Sequence, residues 1–337
     1  MPEVLRDRCE ALIQELELAP INAISDVRPL TGGVASDIAV VDLQGQKICI
    51  KFALPKLKVA EDWQAPVHRN KAEYEWLKTA AKIAPDSAVK MFGRSEFMHG
   101  FAMEFIAGED VALWKTDLLA GHGSLARAAA VGKLLGQIHQ VSSNAEFDRK
   151  PFQNRDDFFA LRIEPYLTFT SQKHPKIASI LKDLAKQLYE SDQVLVHGDV
   201  SPKNILFKGE LPIILDAECA TMGAPEFDVA FCLNHLILKA QHNSTLRDDL
   251  RGTVSAFWTA YSAYVSWENS KELGKRVSRL LPALMLARID GKSPVEYLTE
   301  ENRTAIRDLS VSLLKFPENS IDEVVGIIDV VWKEENL

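Results

Sequence analysis

The sequence predicts an α+β chain in two lobes, a small β-rich lobe over residues 1–106 and a larger helical lobe over 107–337. Three observations carry this. Short β-branched runs mark Ile24–Phe52 with two more strand-like pieces before Gly108, apolar residues recur at helical spacing through most of the chain after Gly108, and one β island between Val194 and Leu215 interrupts the helices. That island also holds the densest cluster of unusual polar residues.

Leu5, Cys9, Leu12, Ile13 and Leu16 put one apolar face on a leading helix within Pro2–Leu18. Ile38–Val41 and Ile48–Ile50, separated by Gln44, Gly45 and Gln46, read as a hairpin. A helix over Arg69–Lys82 turns Ala72, Trp76, Leu77 and Ala80 to one side, and Pro85 ends it. Strands at Ala88–Phe92 and Phe101–Ile106 flank a turn at His99 and Gly100. Beyond them the periodicity predicts helices over Leu125–Val141 and Ile177–Tyr189, strands at Val194–Val196, Ile205–Phe207 and Ile213–Leu215, and helices from Ala230 onward.

The composition is 47% hydrophobic and 26% charged, that of an ordinary folded chain. A formal charge of −8 argues against nucleic acid as a partner, because phosphate-backbone binding rests on clustered Lys and Arg. Four scattered cysteines without a CxxC pair fit a reducing compartment. Residues Met1–Arg6 lack the basic and apolar regions of a signal peptide, and no apolar run approaches the ~20 residues that span a bilayer, so a cytoplasmic location without membrane insertion is expected.

The chemistry sits in Val196-His197-Gly198-Asp199-Val200-Ser201-Pro202-Lys203-Asn204-Ile205-Leu206. A carboxylate on a tight loop can accept a hydroxyl proton while an amide oxygen five residues on turns back to bind a divalent cation, which is the geometry phosphoryl transfer needs. The apolar strand Ile213–Leu215 then ends in Asp216 and, two residues on, Glu218, acids placed to complete an oxygen-rich magnesium shell.

The His-Gly-Asp-x-x-x-x-Asn-Ile-Leu loop followed by Leu-Asp-x-Glu resembles the aminoglycoside phosphotransferase and choline kinase superfamily, distant relatives of protein kinases. The resemblance implies a bilobal protein-kinase-like fold that uses ATP and Mg2+. It implies Asp199 as catalytic base, Asn204 and Asp216 as metal ligands, Glu218 as a second or water-mediated ligand, and His197 as a buttress of the loop. Ile48-Cys49-Ile50-Lys51 resembles the strand whose lysine grips the α- and β-phosphates, with Glu73 in the next helix as its ion-pair partner and Glu75 as a competitor for that role. Thr31-Gly32-Gly33-Val34-Ala35-Ser36 would be the turn that covers the phosphates, its free backbone N–H groups approaching the anion. Met103-Glu104-Phe105-Ile106 resembles the hinge, the Glu104 carbonyl and Ile106 amide binding the adenine edge. In Gly223–Asp228 the resemblance makes Asp228 an acceptor for backbone hydrogen bonds of the catalytic loop. Phe52–Lys58 with Trp63, Arg69 and Asp157 is similar to methylthioribose kinases, and Arg288 to Pro294 suits a wall of the acceptor pocket, which names Asp157, Arg288 and Asp290 as acceptor-side candidates.

Each sharp reading has a bland rival. Lys203 either neutralises the transferred phosphoryl group or is an ordinary exposed lysine. Trp63, Trp114, Trp258 and Trp267 read as packing residues rather than substrate platforms. Arg288 and Asp290 serve equally well in an interhelical salt bridge. The expected function is transfer of the γ-phosphoryl group of ATP to a hydroxyl of a small molecule. A nucleotide-binding pseudokinase scaffold is the alternative, and a protein kinase is disfavoured by the short interval between Asp216 and Glu226. The identity of the acceptor stays open, and the apolar C-terminal helices offer a face for a homodimer.

Overall fold

The computed structural model describes residues 2–30, 36–56 and 66–334. Thr31, Gly32, Gly33, Val34, Ala35 and Trp63 lie outside the described residues.

Helix α1 (Pro2–Glu15) is followed by β1 (Ile24–Leu30), β2 (Ser36–Leu43), β3 (Gln46–Ala53), α2 (Arg69–Ile83), β4 (Met91–Ser95) and β5 (Gly100–Glu104). The strands form one antiparallel sheet in the order β1-β2-β3-β5-β4. Side chains alternate across a pleated sheet, so β3 serves two faces. Ile48, Ile50 and Phe52 join Cys9, Leu12 and Ile13 of α1 in one buried cluster, whereas Cys49 joins Trp76 and Leu77 of α2 in the main core. Lys51 shares the parity of Cys49, and that parity aims it toward α2 and the C-terminal part of the chain.

Helix α1 ends earlier than its apolar spacing predicts, with Glu17 turning back at φ 53°. The strand expected at Ala88–Phe92 begins at Met91, because a 3-10 turn over Pro85–Ser87 uses the residues before it.

The C-terminal part runs β6 (Val111–Leu113), α3 (Trp114–Leu119), α4 (Leu125–Ser142), α5 (Arg155–Phe158), a π-helical segment (Phe159–Thr168), α6 (Phe169–Lys173), α7 (Ala178–Glu190), β7 (Val194–Val196), β8 (Ile205–Lys208), β9 (Leu211–Ile214), β10 (Thr221–Gly223), and α8 (Pro225–His242). Helices α9 (Leu250–Ser262), α10 (Ser270–Asp290), α11 (Glu300–Lys315) and α12 (Ile321–Glu334) complete it. Strands β6 and β10 were not foreseen. Each has three residues, too few to display alternation, and each is defined by its partner: β6 pairs with β8, and β10 with β7. Gly136 lets α4 and α9 approach closely, since a Cβ there would stand 2.8 Å from the Tyr261 carbonyl oxygen.

Helix α8 is buried from Pro225 to Gln241 and forms the interior of the helical part. Cys9, Cys49, Cys219 and Cys232 are free thiols, all buried. Among the described residues no helix is long and apolar enough to cross a membrane.

Candidate active site

Strand β7 delivers the chain into the loop that begins at His197. Gly198 adopts φ 81°, a left-handed conformation, and a Cβ there would lie 2.8 Å from the Cys219 Cβ. Asp228, in the first turn of α8 and fully buried, accepts the His197 N–H at 2.7 Å and the Gly198 N–H at 2.8 Å. One carboxylate therefore satisfies two backbone donors that the turn would otherwise leave unpaired.

His197 locks the next peptide. Its Nδ1 accepts the Asp199 N–H at 3.1 Å and its Nε2 faces the Leu215 carbonyl at 3.1 Å, which fixes the tautomer with the proton on Nε2. Burial pushes its pKa down, in keeping with a neutral ring, and Trp76 packs edge-on against it at 4.7 Å.

Asp199 is buried, yet Arg162 Nη2 and Lys203 Nζ each stand 3.0 Å from its Oδ2, and Ser201 Oγ donates to Oδ1 at 3.2 Å. Burial alone would raise its pKa; Lys203 and Arg162 outweigh burial and hold the carboxyl below the ordinary carboxylate range. Asp199 correspondingly raises the pKa of Lys203, whose side chain is half exposed.

Asn204 donates through Nδ2 to the Asp199 carbonyl at 3.0 Å, and its own carbonyl accepts the Leu215 N–H at 2.8 Å. Its Oδ1 has no hydrogen-bond donor among the described residues. Asp216 follows β9 with φ 69°, a sparsely populated conformation for a residue with a Cβ, and forms an ion pair through Oδ1 with Lys51. Burial raises its pKa, but Lys51 and Lys203 prevail and keep it ionised.

Lys51 also reaches Glu73 Oε1 at 2.7 Å, while Glu75 pairs with Lys78 at 3.0 Å, so the competition between the two acids is resolved in favour of Glu73. Burial opposes the Lys51 charge, but Asp216 and Glu73 overcome it and raise its pKa; burial pushes Glu73 up to about 7 against the pull of Lys51.

The other candidates fall into place around this centre or away from it. Ser36 is buried as the first residue of β2, opposite Ala53. Glu218 Oε2 accepts from Arg69 Nε at 2.9 Å, joining α2 to the segment after β9. Met103 is buried in β5, and Glu104 pairs with Ile48 in register while its N–H donates to the Lys90 carbonyl at 2.8 Å. Glu104 and Ile106 line a cleft of about 480 Å³ together with Ala88, Lys208 and Ile213.

Asp157 faces His68 Nε2 at 2.7 Å. Arg288 donates to Ser293 Oγ at 2.8 Å and to the Tyr166 hydroxyl at 3.3 Å. Asp290 does not join it: Arg307 binds both its oxygens at 2.8 and 3.0 Å, and His174 stands 2.8 Å from Oδ2. Residues two apart on a helix do not share a face, and Asp290 ties α10 to α11 instead of lining a pocket with Arg288.

The sequence reading missed Arg162. It is the lone cation among Phe158, Phe159, Leu161, Ile163 and Leu167, and that isolation within an apolar run was the available signal.

The sequence profile of the Phosphotransferase enzyme family matches residues 26–267, which include every residue of this constellation from Lys51 to Asp228. The chain belongs to this family. Within the phosphotransferase family it is 23% identical over 248 residues to a methylthioribose kinase of Geobacillus kaustophilus (strain HTA426), covering 66% of this chain. The chain spans 62% of that relative's length. This phosphotransferase family member also shares its fold with solved kinases: an ethanolamine kinase of Plasmodium vivax (TM-score 0.56, 14% identity, 92% of this chain and 90% of that one) and an amicoumacin kinase in complex with AMP-PNP and Ca2+ (TM-score 0.56, 12% identity, 95% and 98%).

Proposed function

We propose that the protein transfers the γ-phosphoryl group of ATP to a hydroxyl of a small molecule, with Asp199 as catalytic base. The observation that carries this reading is the meeting of Lys51, Asp216 and Asp199. Lys51 from β3 pairs with Asp216 at the end of β9 across 165 residues of chain, and Asp216 bears electrostatically on Asp199, the carboxylate that Lys203 and Arg162 hold ionised in the loop after β7. The N-terminal part, ending at Ile106, supplies Lys51 and Glu73, and the C-terminal part supplies the loop and the acceptor side.

In this reading Asp199 orients the acceptor hydroxyl and takes its proton as the oxygen attacks the γ-phosphorus. The bond from the γ-phosphorus to the bridging oxygen breaks, and ADP leaves. Lys51 neutralises α- and β-phosphate charge, and Lys203, half exposed beside Asp199, neutralises the group in transit. The Asn204 Oδ1, which has no donor among the described residues, and the Asp216 carboxylate form a hard-oxygen pair that fits Mg2+, an ion held by one or two carboxylates plus substrate phosphates. Bound there by Asn204 and Asp216, it would supply charge neutralisation at the phosphates. That a related kinase fold binds AMP-PNP supports ATP as the donor.

The decisive assay is ADP release from Mg-ATP with a panel of hydroxylated metabolites, the Asp199→Asn variant serving as blank. Turnover of one panel member by the wild type alone supports the reading. Equal ADP release by both proteins with every compound overturns it.

A further inference from the structure

Helix α8 places two ionisable side chains, His235 and Lys239, one turn apart on one face, exposed by only 6% and 3%. Among the described residues no acid pairs with either. Among the described residues Lys239 Nζ has no hydrogen-bond acceptor and no carboxylate partner, and it stands 5.1 Å from the centroid of the Tyr297 ring. The His235 Nδ1, the Tyr297 hydroxyl and the Arg288 Nε are buried without a hydrogen-bond partner among the described residues. The Arg288 guanidinium meets Tyr166 and Ser293 but no carboxylate. This is an interior cluster of cations and unused donors.

Its place in the fold ties it to the reaction centre. Tyr166, which accepts from Arg288, stands four residues after Arg162 on the π-helical segment, and Arg162 holds Asp199. The charge of Lys203 is felt at His235, along with those of Lys239, Arg288 and Lys115. The cluster is therefore linked to Asp199 through Arg288, Tyr166 and the segment that carries Arg162.

Like charges gathered in a dry interior are unfavourable, and the protein relieves this in the only way open to it without a counter-ion. Burial, with Arg288 and Lys115, pushes Lys239 down to about 7, and burial with Lys239, Arg288, Lys203 and Lys115 depresses His235 well below its ordinary value. A ligand anion would reverse that and satisfy the orphaned donors together.

The geometry points to an anion subsite formed by Lys239, Arg288, His235 and Tyr297, which takes a carboxylate or phosphate group carried by the acceptor whose hydroxyl Asp199 serves. This rests on the phosphotransferase reading of Asp199 for its role but not for its existence. Amino alcohols and polycationic acceptors are excluded from this wall by repulsion, and hydroxy acids or sugar phosphates are selected.

The test is calorimetric titration of sulfate, malonate and choline, at constant ionic strength, into protein saturated with Mg-AMP-PNP so that the nucleotide's phosphate site is filled. Wild type should bind sulfate or malonate and not choline, and the stronger of the two distinguishes a phosphate-bearing from a carboxylate-bearing acceptor. Lys239→Met should weaken that binding at least tenfold and melt at a higher temperature than wild type without ligand, since an unpaired buried amine is gone. Arg288→Gln provides the second variant should the first not fold. Undiminished binding in the variants, preference for choline, or no binding of either anion would overturn the subsite. Failure of Mg-AMP-PNP to bind would instead overturn the ATP reading, and the difference in anion binding between wild type and Lys239→Met would still decide the subsite.

Discussion

Arg162 Nη2 donates to Asp199 Oδ2 at 3.0 Å, an ion pair buried on both sides that joins the π-helical segment to the loop after β7. Its Nε donates to the Gly198 carbonyl of the same loop. One side chain thus helps to position the proposed base and, with Lys203, holds it ionised.

The charge state makes the first prediction. Asp199 acts as a base only when ionised, and Lys203 and Arg162 hold its pKa down against burial. Arg162→Gln removes one of those cations, so the pKa rises and the acid limb of the kcat/KM profile moves to higher pH. A profile measured between pH 4 and 8 checks this; an acid limb that stays where the wild type has it contradicts the assigned role.

Asp228 supports the loop through the His197 and Gly198 N–H groups. Asp228→Ala leaves both donors buried and unpaired, which should cost about 2–4 kcal/mol of stability. Urea denaturation should show a lower midpoint at unchanged slope.

Lys51 and Glu73 form a buried pair, and the two halves are unequal in what they leave behind. Lys51→Met abandons a buried carboxyl whose pKa burial already raises to about 7. A carboxyl with a raised folded pKa favours the folded state at low pH, and that advantage is lost as pH rises through the folded value. Stability of Lys51→Met should therefore fall as pH increases past neutrality, by roughly 3–5 kcal/mol relative to wild type. Lys51→Met/Glu73→Leu should recover most of the loss without recovering nucleotide binding, a comparison made by denaturation at pH 6 and 8.

The arrangement of the proposed catalytic loop was legible because it is local: His197, Asp199, Asn204, Asp216 and the supporting Asp228 lie within one stretch of sequence. The choice of Glu73 over Glu75 was also within reach, since Arg69, Glu73, Trp76 and Ala80 recur at 3–4-residue intervals and form the buried face of α2. Arg162 was not legible in the same way, because it depends on a π-helical segment docking beside a loop 37 residues away. The separation of Asp290 from Arg288 followed from helical geometry, but the partners that claim it, His174 and Arg307, come from other elements. The three-residue strands β6 and β10 exist only through tertiary pairing, for which a local pattern carries no signal.

Gly198 makes a further prediction. Gly198→Ala forces a side chain into a left-handed backbone and against the Cys219 Cβ, so it should lose about 1–2 kcal/mol from the backbone conformation alone and more from the contact. Cys219→Ala should not rescue it, because the obstructing atom is the Cβ. Thermal melting of the single and double variants checks both statements.

The most direct test of the account is single-turnover transfer from Mg-ATP by Asp199→Asn, with the nucleotide dissociation constant measured on the same preparation. The account predicts a loss of roughly 10²–10⁴-fold in the rate of phosphoryl transfer, as expected for removal of a general base, with nucleotide affinity within a few-fold of wild type. Transfer at the wild-type rate by Asp199→Asn would contradict it.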